Sequence, residues 1–245
     1  MKKYSWLFKP QFYILLSFYI VLSYLTLGLD RTLARFFFTE DGFFEYVGAL
    51  SLFAASAVMF IVFARAYRTR ATTGIHWIKI IVYLGIAVLF FFGAGEEISW
   101  GQRIFHIETP EALEEVNEQQ ELNVHNLVFF DYYLMDSDDL FNIFWMTVVV
   151  LIPALALVSK RFKNWAENLI PIAPWQLSLL FLLNYLTAKV AKILYLSVYS
   201  FFTVSFSQAV QEVKESHYEL LFFLLALYIL WDFNQTLNNA PPSTV

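Results

Sequence analysis

Six apolar stretches, around residues 11–29, 45–65, 77–97, 140–159, 175–196 and 211–231, dominate this 245-residue chain. A helix rises about 1.5 Å per residue and the hydrocarbon core of a bilayer is about 30 Å thick, so about 20 apolar residues make one crossing. Each stretch meets that length. No water reaches this depth to bond the backbone, so each crossing must close its own hydrogen bonds, as a helix does. The expected fold is all-α: one integral membrane bundle of six transmembrane helices over residues 1–236, with an outer loop at 101–139. Composition agrees, with 59% hydrophobic and 15% charged residues against about 25% charged in a soluble domain. The lipid bilayer is the partner this composition demands. A net charge of −5 suits no polyanion, so nucleic acid is excluded, and the absence of Cys removes disulfides, thiol catalysis and Cys-ligated metals.

Orientation follows from Lys and Arg, which collect on the cytoplasmic side. Lys2, Lys3 and Lys9 precede the first span; Arg65, Arg68 and Arg70 follow the second; Lys160, Arg161 and Lys163 follow the fourth. Between Gly101 and Asp139 the only Lys or Arg is Arg103, among many Asp and Glu. Both termini are therefore expected in the cytoplasm, and Trp6, Trp77, Trp165, Trp175 and Trp231 fall at the same inner boundary as an aromatic belt. No small-x-small cleavage site follows the first span, which reads as an uncleaved signal anchor. In the outer loop, Thr109, Pro110 and Glu111 spell N-cap, proline at N1 and an acidic first turn, predicting an amphipathic helix of about ten residues with Leu113 and Val116 on its apolar stripe. The chain after Asp232 is rich in Asn, Pro and Ser, and residues 237–245 read as a disordered tail.

Counting each span from its inner edge sets a depth scale. Glu45, Glu97 and Glu212 all reach the outer boundary of the hydrocarbon, and Glu215 and Glu219 lie about 5 and 10 Å deeper. Lys189 and Lys192 fall in the same layer. At 100° per residue Gln208, Gln211, Glu212, Glu215 and Glu219 share one sector of the last span, with His217 opposite. Asn184, Ala188, Lys192, Tyr195 and Tyr199 share a face of the fifth. On the second span Glu45 aligns with Ala49, Leu52 and Ser56, small residues that permit close helix approach. Two readings of these charges follow. Lys189 and Lys192 neutralise Glu215 and Glu219 and lock two helices together, or the acids of three spans converge on a hydrated pocket.

The densest polar string is Gly95-Glu96-Glu97-Ile98-Ser99-Trp100-Gly101-Gln102-Arg103. Adjacent carboxylates titrate as a coupled pair, suited to acid/base work or to holding a cation with a third ligand. Arg103 would neutralise one of them or grip a phosphate bidentately. Asn117, Gln120, Asn123, His125 and Asn126 form a second, amide-rich cluster, expected to bond to exposed helix ends as a re-entrant or lid-like segment. His125 lies on the same side as the carboxylates. No paired-histidine metal spacing occurs, so a divalent metal would need a Glu-rich site assembled from distant segments, with Glu97, His125, Glu212 and Glu215 as candidates. Phosphate-cradling glycine loops, dinucleotide fingerprints and a Gly-x-Ser-x-Gly elbow are all absent from the sequence.

The string Glu40-Asp41-Gly42-Phe43-Phe44-Glu45, the Gly95–Arg103 stretch, Asn123-x-His125-Asn126 and the glutamates of the last span together resemble an uncharacterised family of bacterial polytopic inner-membrane proteins. That resemblance implies a bacterial inner membrane and supplies no activity. The residues themselves predict an enzyme-like site at the outer face, acting on a lipid or lipid-linked substrate. In it Glu96 or Glu97 is the acid/base or cation ligand, His125 an auxiliary base and Arg103 an anion anchor. Glu45, Trp100, Gln102, Asn123, Asn126, Lys192, Glu212, Glu215 and Glu219 form the walls. Ion- or proton-coupled transport through the buried Glu and Lys is a second expectation. A membrane subunit or assembly factor, docking a protein partner through its acidic loop, is a third.

Overall fold

The computed structural model describes residues 9–28, 36–37, 42–114, 116–117, 122–123, 137–198 and 206–239. Its elements are α1 (Pro10–Ser23, continued by a 3-10 turn over Tyr24–Gly28), α2 (Phe43–Thr73), α3 (Trp77–Glu97), α4 (Gln102–Phe105), α5 (Glu111–Glu114), α6 (Ser137–Trp145), α7 (Ile152–Val158), α8 (Lys160–Leu169), α9 (Trp175–Val198) and α10 (Phe206–Asn239). Among the described residues six helices are long and apolar enough to cross a membrane: Pro10–Gly28, Phe43–Thr73, Trp77–Glu97, Asp139–Val158, Trp175–Leu194 and Ala209–Asn238. Their apolar windows are only 17–44% buried inside the protein. The surplus apolar surface, such as Leu15, Leu157 and Val158, points outward where lipid would cover it.

Local chemistry explains where the helices begin and end. Pro10 opens α1 at a position whose N–H has no helical partner anyway. α2 closes on Gly74, whose left-handed backbone (φ 66°) returns its N–H to Arg70 O. His76 then caps α3, its Nδ1 accepting from Ile78 N at 3.2 Å, so α2 and α3 form a tight antiparallel hairpin. The fourth span is interrupted. Pro153 cannot donate to Val149 O, the chain widens into a π-helical stretch over Met146–Leu151 just before it, and α7 carries on. Ser178 of α9 supplies the missing donor, its hydroxyl reaching Val149 O at 2.5 Å. A defect in one span thereby becomes a bond between two.

α2 and α10 outrun the apolar stretches that announce them. They continue past Arg65 and past Trp231, because polar residues with adequate helix propensity extend a helix once it has left the hydrocarbon. At 34 residues α10 is about 50 Å long, and its helical run through Asn239 corrects the disorder expected for 237–239; residues 240–245 lie outside the described set. The outer-loop helix is also shorter than expected. Among the described residues helical geometry covers only Glu111–Glu114, and the Thr109 hydroxyl accepts from Gln102 Nε2 at 2.5 Å. A single turn gains too few hydrogen bonds to stand by itself; side-chain bonds from Gln102 and Asn117 shape the loop instead.

α10 packs most extensively against α2, and α2 in turn against α3; α9 lies on the other flank of α10, beside α1. Aromatic rings fill the centre. Tyr218 sits between Trp145 and Phe181 at centroid distances of 5.1 and 5.5 Å, and Phe222 meets Phe181 at 5.0 Å. Ser56 of α2 donates to Ala87 O of α3 at 2.8 Å. The two ends of the bundle differ. One carries Arg65, Lys79, Lys160 and Lys163 and is called the basic end; the other carries the Gly95–Arg103 string and the loop residues bonded to it, and is called the loop end.

Candidate functional site

At the loop end α3 does not simply stop. Beyond its cap Ile98, Ser99 (φ 45°), Trp100 (φ 54°) and Gly101 (φ 76°) are all left-handed. For the two non-glycine residues that conformation costs about 1–2 kcal/mol each. The inverted turn folds Trp100 back along α3, where its Nε1 donates to Glu96 Oε1 at 2.7 Å. The indole lies over Gly95, where a Cβ would approach three ring atoms to within 2.8–2.9 Å. Only glycine leaves room for that ring. Phe91 and Phe92 pack on it edge-on at 6.3 and 5.4 Å. Trp100→Phe keeps the packing and removes one bond to a buried carboxylate, so a loss of about 1.5 kcal/mol is expected. Thermal unfolding in detergent micelles checks it, and an unchanged midpoint would refute the role given to the bond.

Gln102 and Asn123 do not face the cavity described below; they tie the loop down. Gln102 Oε1 accepts from Leu122 N at 2.7 Å. Asn117 Nδ2 donates to Asn123 O and Oδ1 at 2.8 Å, and Asn123 Nδ2 reaches Ser99 Oγ at 3.2 Å. The loop is thus pinned to the strained end of α3. His125, Asn126 and the Arg103 side chain lie outside the described residues, as do Lys2, Lys3, Trp6 and the remaining acids between 118 and 136.

Beneath this turn is a cavity of about 430 Å³. Leu52, Leu89, Phe90, Leu140, Phe141, Phe144 and Phe222 make most of its wall, and Glu96, Glu97, Glu215 and Glu219 supply the charge. Four expected site residues therefore meet around one space, drawn from α3 and α10, with α2 and α6 closing it. Glu96 and Glu219 are the most deeply set, each 5% exposed. Glu97 hydrogen-bonds the Glu219 carboxyl group, and Glu215 and Glu212 lie near enough to act on it electrostatically. A hydrogen bond between two carboxyl groups needs a proton on one of them. Oε2 of Glu219 has no hydrogen-bond partner and fits against Gly48, where a Cβ would stand 1.6 Å away. Glu45 is buried one turn earlier on α2 and is not part of the cavity wall.

The expected lysine neutralisation is corrected by this geometry. Among the described residues neither Lys189 nor Lys192 makes an ion pair with Glu215 or Glu219. Lys189 is exposed and lies over the Tyr185 ring at 5.4 Å, and Lys192 is half-buried outside the cavity. Among the described residues a nearby cation is Lys214, unmarked in the sequence reading. It is 7% exposed and donates to Gln211 Oε1 at 2.7 Å, while Gln211 Nε2 donates to Glu215 Oε1 at 2.5 Å. Gln211 is one turn before both residues, so it couples lysine to glutamate along one helix. As for a metal, no group of three or more His, Asp or Glu side chains is placed to hold one among the described residues.

A second buried polar cluster lies on the other side of α10. His217 is fully buried, with Nδ1 2.9 Å from Asn184 Oδ1 and Nε2 2.7 Å from Ser23 Oγ. Helical phase separates His217 from the acids, but its partners come from α1 and α9 and no spacing in the sequence joins them.

Fold and site together define a class: a multi-pass helical membrane protein with an acid-lined cavity between its spans. Comparison with protein-family models, curated proteins and solved structures gives no match for this chain.

Proposed function

We propose that this protein is a bacterial inner-membrane enzyme, both termini cytoplasmic, whose cavity opens toward the outer face and receives a lipid or lipid-linked substrate. The apolar part of that substrate lies along Phe141, Phe144, Phe222 and Leu52, and its reacting polar group meets the carboxylates. Glu97 and Glu219, which line the same space, serve as a general acid and base. Glu96, oriented by Trp100, and Glu215, tethered through Gln211 to Lys214, keep the pair in position. The observation that carries this reading is the unpartnered, buried Oε2 of Glu219 in a largely apolar cavity. Leaving such a group unsatisfied costs about 1–3 kcal/mol or more, a cost a ligand's donor would relieve. The distribution of Lys and Arg supports the orientation.

Purified protein incubated with a total bacterial lipid extract and followed by mass spectrometry tests it. Wild type is expected to deplete one class of amphipathic species, and Glu219→Gln and Glu97→Gln each to slow that depletion by about 10²-fold or more. An extract unchanged by folded wild-type protein would overturn the proposal. Proton or cation movement is the second reading, favoured by the meeting of Glu96, Glu97, Glu215 and Glu219 around one space. Against it stands the basic half of the bundle, where the apolar side chains of Met59, Val62, Ala66 and Ala87 are fully buried. Liposome flux that depends on Glu219 would select it.

A further inference from the structure

We propose that a hollow at the basic end, independent of the acid cavity, binds the headgroup of an anionic glycerophospholipid. Trp231 stands twelve residues beyond Glu219 on α10, about 18 Å along the axis, so the two spaces lie toward opposite ends of the bundle. The hollow measures about 580 Å³ and is bounded by α1, α7, α8, α9 and α10. Three features select its occupant.

The first is charge. Lys160 and Lys163 line the hollow together, one turn apart on α8, with Glu167 beside them. Lys163 pairs with Glu167 at 3.6 Å. That leaves the Lys160 ammonium without a carboxylate among the described residues, and the hollow with one net positive charge, which matches one phosphodiester. The second is the ring of amphipathic donors. Trp175, Trp231, Tyr13 and Tyr228 line the same space, with Gln176 adding an amide; such rings seat at the headgroup level of a bilayer. The third is the apolar wall. Pro153, Leu157 and Ile172 continue from the polar groups into the flank of the bundle, and Leu157 is 69% exposed toward the lipid side. A free phosphate has no use for that wall; an acyl chain attached to the phosphate does.

α8 itself is built for this place. Its ten residues are too few to cross a bilayer. The Ser159 cap, its hydroxyl accepting from Phe162 N at 3.2 Å, redirects the chain out of α7. Lys79 of α3 anchors the far end, donating to Glu167 O at 2.7 Å. Phe162 and Trp165 pack together on its apolar side, rings 5.7 Å apart, with Trp165 exposed to bury itself in the interface.

Native mass spectrometry of the full chain, released from micelles containing equal amounts of phosphatidylglycerol and phosphatidylcholine, tests this. Wild type is expected to retain phosphatidylglycerol over phosphatidylcholine by roughly tenfold. Lys160→Gln/Lys163→Gln should reduce that to near parity. Arg68→Gln/Arg70→Gln, an equal loss of charge at exposed positions on the same end, should leave the preference intact. All four positions are exposed, so folding is not at stake, and matched unfolding midpoints verify it. Wild type without a preference would overturn the proposal, as would a preference surviving in the lysine variant or lost equally in the arginine variant. Millimolar inorganic phosphate displacing the lipid would overturn the choice of a lipid over a free anion. None of these outcomes depends on chemistry at Glu219.

Discussion

Gly48→Val is expected to destabilise the protein by about 3 kcal/mol, and Gly48→Ala by about 1–2 kcal/mol, through one buried oxygen atom. A Cβ at Gly48 would stand 1.6 Å from Glu219 Oε2 and 2.7 Å from its Cδ. The carboxylate must leave. It is the far end of a flexible side chain, so alanine forces a rotation rather than an unfolding, and the displaced acid moves within an acid-lined cavity. Valine adds two methyl groups between α2 and α10, the most extensively packed pair of helices in the bundle, and pushes backbones apart. A double-mutant cycle isolates the mechanism. In a Glu219→Ala background Gly48→Ala should become nearly neutral, a coupling of about 1 kcal/mol or more. Equal costs in both backgrounds, read from unfolding in micelles, would show that Gly48 serves helix packing alone. The same alanine variant should slow depletion of the lipid species as Glu219→Gln does, since both take the acid out of register.

Gly48 also marks where the sequence stops being readable. Existence of the six spans is legible because crossing lipid demands a fixed apolar length. Their ends are less so: Arg65 and Trp231 mark where α2 and α10 leave the apolar layer, not where the helices finish. Phase along α10 is legible too, and it puts Glu215 and Glu219 on one face. Pairing between spans is not. Lys192 shares a layer with the acids by count, yet rotation of α9 turns it elsewhere. Lys214 is one residue from Glu215 and about 100° away around the helix, so phase alone discards it; its long stem reaching Gln211 brings it back. Gly48 has no side chain to register in any pattern, although the fit of Glu219 requires its absence. The left-handed turn at Ser99 and Trp100 is equally silent, since neither residue favours that conformation.

Asn184→Ala is expected to cost about 3 kcal/mol, although the residue does not line the acid cavity and no pattern in the sequence singles it out beyond a shared helix face. Its side chain is fully buried in α9 and joins two other helical segments, α10 and the 3-10 turn that continues α1. Nδ2 donates to Lys214 O of α10 at 2.8 Å, which fixes the amide so that Oδ1 is the acceptor on the other side. Tyr24 donates to that oxygen at 2.8 Å, and His217 Nδ1 lies 2.9 Å from it. A bond there requires the proton on Nδ1, so the neutral ring offers its Nε2 lone pair to the Ser23 hydroxyl at 2.7 Å. One amide thus sets a tautomer and, through it, a serine rotor on α1. A single interhelical bond of this kind in membrane proteins averages about 0.6 kcal/mol. Alanine, however, deletes three at once, leaving a ring N–H buried without an acceptor and the phenol with only the longer contact to the residue-184 carbonyl at 3.5 Å, at about 1 kcal/mol or more each. Tyr24→Phe should cost only about 1 kcal/mol, and the Asn184→Ala/Tyr24→Phe double variant less than the sum of its parts, since the second change removes a donor whose shorter bond the first has already deleted. Unfolding midpoints in micelles measure all three. Strict additivity, or an Asn184→Ala variant within about 0.5 kcal/mol of wild type, would mean that the cluster merely fills space and that packing of Tyr218, Phe181 and Trp145 alone holds α9 to α10.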